Sequence, residues 1–360
     1  MGRRKLCGIA AAGGMFLLTG CSGIFGDGTA EPIQSMKIGI CTYDQFDTFI
    51  GTLVEEFKEE ARQKEQETGV TITVEVVGAG GKQNIQNDQV ESLINNGCDI
   101  LLVNQVDRTD TTMVIDKAKN ADIPVIFFNR ELVREDLERW EKLYYVGVKT
   151  LESGVMQGEI VVDLCSGEQG IAPYDKNGDG RLQYVMLEGE AGHQDALIRT
   201  EYAVNTITNA GIRLTKLDNE IANWSRAQAQ TKMNQWLEEF GDRIELVLAN
   251  NDDMALGAID AWKESGKPYM PVVVGVDGTE AALDAMREGT LAGTVVNDTE
   301  GQARGMMELA YSLYFQTPLP DDIELEEDTY IRLPHTVVTA EMLQDLVTVQ
   351  PRTLHLLQSL

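Results

Sequence analysis

Short runs of β-branched and apolar residues alternate along the chain with longer stretches whose apolar positions recur every three to four residues. The runs at 37–43, 70–78, 99–104 and 124–129 predict strands. The stretches at 49–67, 82–96 and 111–120 predict helices, with Leu53, Val54, Phe57 and Ala61 spaced for one face of the first. After an interruption the pattern resumes. Strands are expected at 184–188, 212–218, 244–250, 272–276 and 293–297, and helices at 194–209, 225–240, 254–265, 279–288 and 300–314. Strands separated by helices of this length make βαβ units, whose right-handed crossovers place helices on both faces of a parallel sheet. There are too many units for one open sheet. The expected fold is α/β, with two Rossmann-like, doubly wound parallel-sheet lobes and a break near 144–149.

A length of 360 residues suits two lobes of roughly 150 residues each. The chain carries 58 acidic and 30 basic residues, for a net charge of −28, which repels phosphate backbones and argues against nucleic-acid binding. The N-terminus adds a processing signal. Arg3, Arg4 and Lys5 precede an apolar, small-residue stretch to Leu18, then Leu18-Thr19-Gly20-Cys21. That order reads as a signal peptide over 1–20, too short for a membrane span. The Leu-Thr-Gly-Cys ending resembles a bacterial lipobox, which implies cleavage before Cys21 and lipidation there. Membrane association is expected through that N-terminal lipid alone, with 21–35 as a flexible tether. Without residues 1–20 the net charge becomes −31. Cys41, Cys98 and Cys165 then remain, an odd number in a chain too large to depend on a disulfide framework.

In parallel sheets, ligands bind beyond the carboxyl ends of the strands. The residues expected there are Tyr43, Asp44, Asp47 and Phe49 after the first strand, Asn129 after the fourth, and His193, Asp195 and Arg199 after the 184–188 strand. Trp224, Asn250, Asn251, Asp252, Asp277 and Asn297 follow later strands. Taken singly, each Asn or Asp is a turn former or a helix N-cap. Taken together they make planar acceptor and donor groups beside flat aromatic faces, which suits a molecule with many hydroxyls. The set has too few cations for phosphate.

The sharpest local motif is Asp175-Lys-Asn177-Gly-Asp179-Gly180-Arg181-Leu-Gln183. Oxygen side chains fall at positions 1, 3, 5 and 9, Gly stands at 6, and position 7 can give its carbonyl. These are the first nine positions of an EF-hand-type Ca²⁺ loop. The twelfth would be Met186, which cannot ligate, so the bidentate carboxylate must come from elsewhere. No helix pair flanks the loop, so the expectation is a structural Ca²⁺ site. Gly78-Ala-Gly80-Gly81-Lys82 lacks Walker spacing and reads as a strand-to-helix turn. The acidic run 321–328 reads as a solvated loop.

From about Lys37 to Val349 the chain resembles the periplasmic-type galactose/glucose-binding proteins of ABC sugar importers. The resemblance is carried by Tyr43-x3-Asp47-x-Phe49, Val125-Ile-Phe-Phe-Asn129, Tyr144-Tyr-Val-Gly147, the Asp175–Gln183 loop, Gly192-His193-x-Asp195-x3-Arg199, Asn223-Trp224, Glu245-x5-Asn251-Asp252, Gly275-Val-Asp277 and Ala292-Gly-Thr-Val-x-Asn297-Asp298. The resemblance implies a type I periplasmic binding protein fold with a three-crossing hinge near Val148, Asp298 and Arg332. It implies a first lobe of 36–148 plus 298–331, a second of 149–297 plus 332–350, and a tail from 351 to 360. Phe49 and Trp224 would sandwich the pyranose, with Asp47, Asn129, His193, Asp195, Arg199, Asn251, Asp277 and Asn297 on its hydroxyls and Tyr43 lining the cleft. Asp47 would meet O4 in either orientation, so both epimers would be accepted. The Ca²⁺ ligands would be Asp175, Asn177, Asp179, Gln183, the Arg181 carbonyl, and Glu245 as the missing bidentate acid. Lys149 departs from the family pattern near the first crossing.

The implied function is an extracytoplasmic, lipid-anchored protein that captures D-galactose or D-glucose and delivers it to an ABC permease, as a monomer and with no chemistry on the sugar. A chemoreceptor or sensor kinase is an alternative partner. A glycosidase using two of Asp47, Asp195 and Asp277 is a weaker rival. A sugar-responsive repressor is disfavoured by the signal segment and the charge.

Overall fold

A computed structural model describes residues 34–343. The signal segment, Cys21 and the tail 351–360 lie outside the described residues. In chain order, the first lobe is built from β1 (Ser35–Thr42), α1 (Thr48–Thr68), β2 (Thr71–Gly78), α2 (Gln83–Asn95), β3 (Ile100–Val103), α3 (Thr112–Ala121), β4 (Val125–Phe128), α4 (Arg134–Leu137) and β5 (Leu143–Val148). The second runs through α5 (Thr150–Leu164), β6 (Leu182–Glu188), α6 (Gln194–Asn209), β7 (Leu214–Ile221), α7 (Arg226–Glu239), β8 (Leu246–Ala249), α8 (Asp252–Ser265), β9 (Val272–Val274), α9 (Glu280–Arg287) and β10 (Gly293–Val296). The chain then returns to the first lobe for α10 (Thr299–Phe315) and β11 (Tyr330–Leu333), and ends in the second with β12 (Thr336–Thr339).

The sheets have the orders β11-β5-β4-β3-β1-β2 and β12-β10-β9-β8-β6-β7, the same topology twice. All pairings are parallel except β10 with β12. Each sheet is buried on both faces. In the first, Phe57, Leu53 and Met306 pack on one side and Leu93, Val114 and Phe127 on the other. In the second, Met233, Trp236 and Trp262 lie on one side and Ile160, Ala203 and Ile207 on the other. Helix α1 shows how such an element is specified. Asp47 accepts the Ile50 N–H at 2.9 Å as N-cap, and Gly69 ends the helix at φ 71° with its N–H on the Glu65 carbonyl. The stripe Phe49, Ile50, Leu53, Val54, Phe57 and Ala61 is buried between, each large side chain contributing about 1.5–3 kcal/mol.

Three segments join the lobes: β5 to α5, β10 to α10, and β11 to β12. The third crossing, expected near Arg332, falls at Pro334–His335, and Arg332 itself pairs with Gly147 inside the first sheet. His335 is buried there, and neither ring nitrogen has a hydrogen-bond partner. Cys41 and Cys98 are buried, Cys165 is half-buried, and all three are unpaired. The acidic run 321–328 is mostly exposed and is tied down by Arg304–Asp322 at 2.8 Å and Arg332–Glu326 at 3.4 Å.

Sequence periodicity does not find β5 or α5. Gly154 and Gly158 sit inside α5, where glycine reads as a breaker. Their reason is tertiary: α6 lies so close that a Cβ at Gly158 would stand 2.7 Å from the Ala203 carbonyl oxygen and 2.6 Å from the Thr206 Cβ. Gly51 in α1 has open space around it. The same substitution should therefore have opposite signs at the two positions. Gly51→Ala should stabilise by up to about 1 kcal/mol through helix propensity, and Gly158→Ala should destabilise by about 1–3 kcal/mol through overpacking. Urea unfolding midpoints would check both, and a stabilised Gly158→Ala would refute the close-packing account.

Candidate functional site

The strand order places a crevice where β1 leaves β3 and β2 on opposite sides, and again at β6 between β8 and β7. The carboxyl ends of the two sheets face one cleft. The eleven residues that the resemblance assigns to the sugar line it: Tyr43, Asp47, Phe49 and Asn129 from the first lobe, and His193, Asp195, Arg199, Trp224, Asn251, Asp277 and Asn297 from the second lobe and its crossing; Asp44, Asn250 and Asp252, also at strand ends, do not. Ile50 and Arg130 line it as well. Arg130 was missed because the sequence reading stopped at Asn129, the residue before it. A lone cation just past a strand end was the available signal.

The cap reading and the ligand reading of these residues turn out to be compatible. Asp47 caps α1, His193 caps α6 through Nδ1 on the Asp195 N–H at 3.1 Å, and Asn251 caps α8 through Oδ1 on the Met254 N–H at 3.0 Å. Each cap uses one acceptor and leaves the rest of the side chain at the cleft. With Nδ1 accepting, the neutral imidazole of His193 carries its proton on Nε2. Burial, with Arg130 and Arg199 nearby, holds that ring well below its ordinary pKa and therefore neutral.

Backbone strain concentrates here. Asn129 (φ 62°), Trp224 (φ 62°) and Asp277 (φ 124°) are in left-handed or related conformations that L-residues seldom adopt. Trp224 also needs glycine opposite it, since a Cβ at Gly189 would overlap the indole. The indole meets His193 edge to face, centroids 5.0 Å apart, and the Arg199 guanidinium carbon lies 6.0 Å from its centre.

Arg199 is 3% exposed and anchored from several sides. It donates to the Asn250 carbonyl at 2.8 Å and to Ser153 Oγ at 3.2 Å, and lies 3.6 Å from Asp195 and 3.7 Å from Asp277. Burial raises the carboxyls of Asp47, Asp195 and Asp277, most strongly Asp277, which also faces Asp252; Arg199 opposes the rise at Asp195 and Asp277. Tyr43 donates to Asp47 at 2.5 Å, and burial pushes its own phenol up. Behind Asp277, Asp252 is fully buried and accepts from Thr294 Oγ1 at 2.7 Å and the Thr279 N–H at 2.8 Å. Burial still lifts its carboxyl to about 7. Two contacts cross the cleft: Thr48 Oγ1 donates to Asp253 at 2.6 Å, and Arg130 pairs with Glu190 at 2.6 Å.

The residues read as a Ca²⁺ loop fold into one tight turn ahead of β6. Asp175 accepts from the Gly178 and Gly180 N–H groups at 2.7 Å, and Gln183 Nε2 reaches Asp179 at 2.8 Å. Glu245, 2% exposed, lies against the loop and accepts from the Lys176 N–H at 2.5 Å and the Gln183 N–H at 2.9 Å. Among the described residues no three acidic, His or Cys side chains close on one point by themselves. A cation here would draw on the amide oxygens of Asn177 and Gln183 and the Arg181 carbonyl besides Asp175, Asp179 and Glu245.

The periplasmic binding protein domain family matches residues 38–315. The D-galactose/methyl-galactoside binding periplasmic protein of Haemophilus influenzae is 33% identical over 324 residues, 89% of this chain and 95% of that protein. The xylitol-binding protein of Mycolicibacterium smegmatis is 29% identical over 333 residues, 92% and 84% respectively. Among solved structures, an ABC transporter solute binding protein from Bacillus halodurans with bound myo-inositol matches with a TM-score of 0.71 at 27% identity. That match covers 88% of this chain and 99% of the other.

The raised carboxyl of Asp252 has a consequence for stability. The native chain holds a proton there that the unfolded chain, at an ordinary value of 3.8, releases. Stability tied to Asp252 is therefore greatest below about 4 and is lost as pH rises toward about 7. Thermal unfolding of the ligand-free protein across that window should show a decline that is flattened in Asp252→Asn. Parallel curves for the two proteins would contradict this.

Proposed function

The chain belongs to the periplasmic binding protein domain family, and on that premise we propose that it captures a single aldohexose, D-galactose or D-glucose, and presents it to an ABC permease. It is a sugar-binding transport protein and not an enzyme, which sets aside the glycosidase reading. The finer assignment of the sugar rests on one observation: Phe49 and Trp224 share a cleft with eight side chains that donate or accept hydrogen bonds in planar geometry. The relative from Haemophilus influenzae, which carries D-galactose in its name, supports the choice of hexose.

In this reading the two aromatic side chains cover the faces of the pyranose. Asp47, Asn129, His193, Asp195, Arg199, Asn251, Asp277 and Asn297 bond its hydroxyls, and Tyr43 lines the cleft. The Nε2–H of His193 and the guanidinium of Arg199 donate. The carboxylates mainly accept, and an ionised Asp47 accepts from two directions, which would admit either configuration at C4. Contacts come from both lobes, so the solute favours the closed arrangement over an open one by the difference in contacts it makes. Delivery from a fixed position would follow from lipidation at Cys21, outside the cytoplasm.

A structural Ca²⁺ in the 175–183 loop belongs to the same proposal. The residues fit a hard cation: three carboxylates, two amides and a carbonyl, with Glu245 supplying from β8's approach the acid that Met186 cannot. The loop sits at the start of β6, the end of that strand opposite Glu188 and the cleft.

Calorimetric titration of residues 36–360 with each sugar should give micromolar or tighter binding of at least one, with no sugar consumed. Trp224→Ala and Asp277→Ala should each weaken it by a few kcal/mol. Near-wild-type affinity in both variants would refute the site assignment. Chelation in metal-free buffer should lower the melting temperature while sugar binding persists, because a cation bound only by the native loop stabilises by mass action. A melting curve indifferent to chelator would remove the Ca²⁺ reading.

A further inference from the structure

Asp252 stands directly after the helix cap Asn251, yet its side chain does not serve α8. Asn251 already accepts the Met254 N–H at 3.0 Å. The Asp252 side chain is fully buried and does not line the cleft. Its oxygens are spent on two other elements. Oδ1 accepts from Thr294 Oγ1 on β10 at 2.7 Å. Oδ2 accepts from the Thr279 N–H and hydroxyl, ahead of α9, at 2.8 and 3.3 Å. An acid in the first turn of a helix is ordinarily stabilised at the surface. Burying one is unfavourable unless its oxygens are paired.

The elements that Asp252 joins meet around Asp277. That residue adopts φ 124°, a conformation that persists in an L-residue only where the surroundings over-determine it. Both of its own backbone groups are held by β10 and its continuation. Its N–H donates to the Val295 carbonyl at 2.8 Å, and its carbonyl accepts from the Asn297 N–H at 3.0 Å. The flanking peptides are held from Asp252. On one side the Asp252 N–H donates to the Val276 carbonyl at 2.7 Å. On the other the Gly278 N–H donates to Thr294 Oγ1 at 3.2 Å, and that hydroxyl donates in turn to Asp252. The space is closed as well: a Cβ at Gly275 would stand 2.2 Å from Asp252 Oδ1, and one at Gly278 would stand 2.8 Å from Val296 Cγ2. Relaxing the Asp277 backbone would break buried hydrogen bonds of Asp252 and Thr294.

We propose that Asp252 is a positioning residue for solute recognition, which through Thr294 and Thr279 locks the strained backbone at Asp277 and so aims the Asp277 side chain into the cleft. The inference rests on the sugar-binding reading above and deepens it. Asp252 touches no solute, and its effect on affinity passes through Asp277. Arg199 holds the same carboxyl from the other end, at 3.7 Å. The group is thus set by its backbone on one side and by its charge partner on the other.

The test is sugar titration by calorimetry, with the hexose that wild type binds, of D252N, T294V and T294S, each alone and combined with D277A. Valine keeps the shape of Thr294 and removes its hydroxyl, whereas serine keeps the hydroxyl. D252N and T294V should each weaken binding about tenfold, the scale of released backbone strain. T294S should stay within about threefold of wild type. In the D277A background neither D252N nor T294V should cost more than about twofold further, although T294V still lowers the melting temperature. A general structural role would instead weaken binding equally in both backgrounds. Wild-type affinity in D252N or T294V, an equal loss with and without Asp277, or a T294S loss as large as that of T294V would overturn the inference and leave the sugar site intact. If D252N does not fold, T294V and T294S decide the matter alone. A wild-type protein that binds neither hexose, or a D277A protein of undiminished affinity, overturns the sugar-site reading and this inference with it.

Discussion

The structure depends on keeping several carboxyl groups out of water around very few cations. Asp195, Asp252 and Asp277 are nine-tenths buried or more, and of the two buried guanidiniums at the cleft Arg199 is the one within ion-pair distance of two of these acids. Removing one partner of a buried charge pair leaves the other uncompensated, at a cost of about 3–5 kcal/mol. Arg199 is held accordingly, by a helix position in α6, by the Asn250 carbonyl at the end of β8 and by Ser153 of α5. Three elements of the second lobe thus converge on one side chain. Both the strand order and the close approach of α5 to α6 serve that convergence. The acids it does not fully balance respond by holding their protons more tightly than acids in water.

Much of this arrangement was legible in the amino-acid sequence, for a physical reason. Parallel strands buried on both faces are almost pure runs of apolar residues, as in Val125–Phe128 and Leu246–Ala249, so their polar ends stand out. The eleven strand-end residues assigned to the sugar reach the cleft, while Asp44, Asn250 and Asp252 beside them do not line it. The failures are equally specific. Helix α5 was hidden by Gly154 and Gly158, which read locally as helix breakers but whose missing side chains are what the close approach of α6 requires. Strand β5 was passed over because its run Leu143–Val148 was read only as a boundary. The third crossing was placed a few residues early because β11 and β12 are four residues each, with only Pro334 and His335 between them. Arg130 showed in the sequence only as a cation just past a strand end, because its contacts with Tyr43, Val106 and Glu190 are distant in sequence.

The cleft and the 175–183 loop divide the work of the second sheet between its two edges. At the carboxyl ends, strain at Trp224 and Asp277 fixes side chains before any solute arrives, which lowers the ordering needed on binding. At the opposite end, the loop closes β6 with hydrogen bonds from Asp175 and Glu245. Strand β6, paired on both sides by β8 and β7, links the loop at one end to Glu188 and the cleft at the other.

The chain path has a further consequence, for synthesis. The first sheet is not finished by the first half of the chain, because β11 is its edge strand and α10 covers one of its faces, and both come only after the whole run from α5 to β10. A ribosome releasing this chain from its N-terminus therefore exposes an incomplete first lobe until residues 299–333 emerge. Long sequence separation between partners slows folding. The first lobe of the nascent polypeptide therefore stays unfinished longer than it would in a chain whose lobes followed one another.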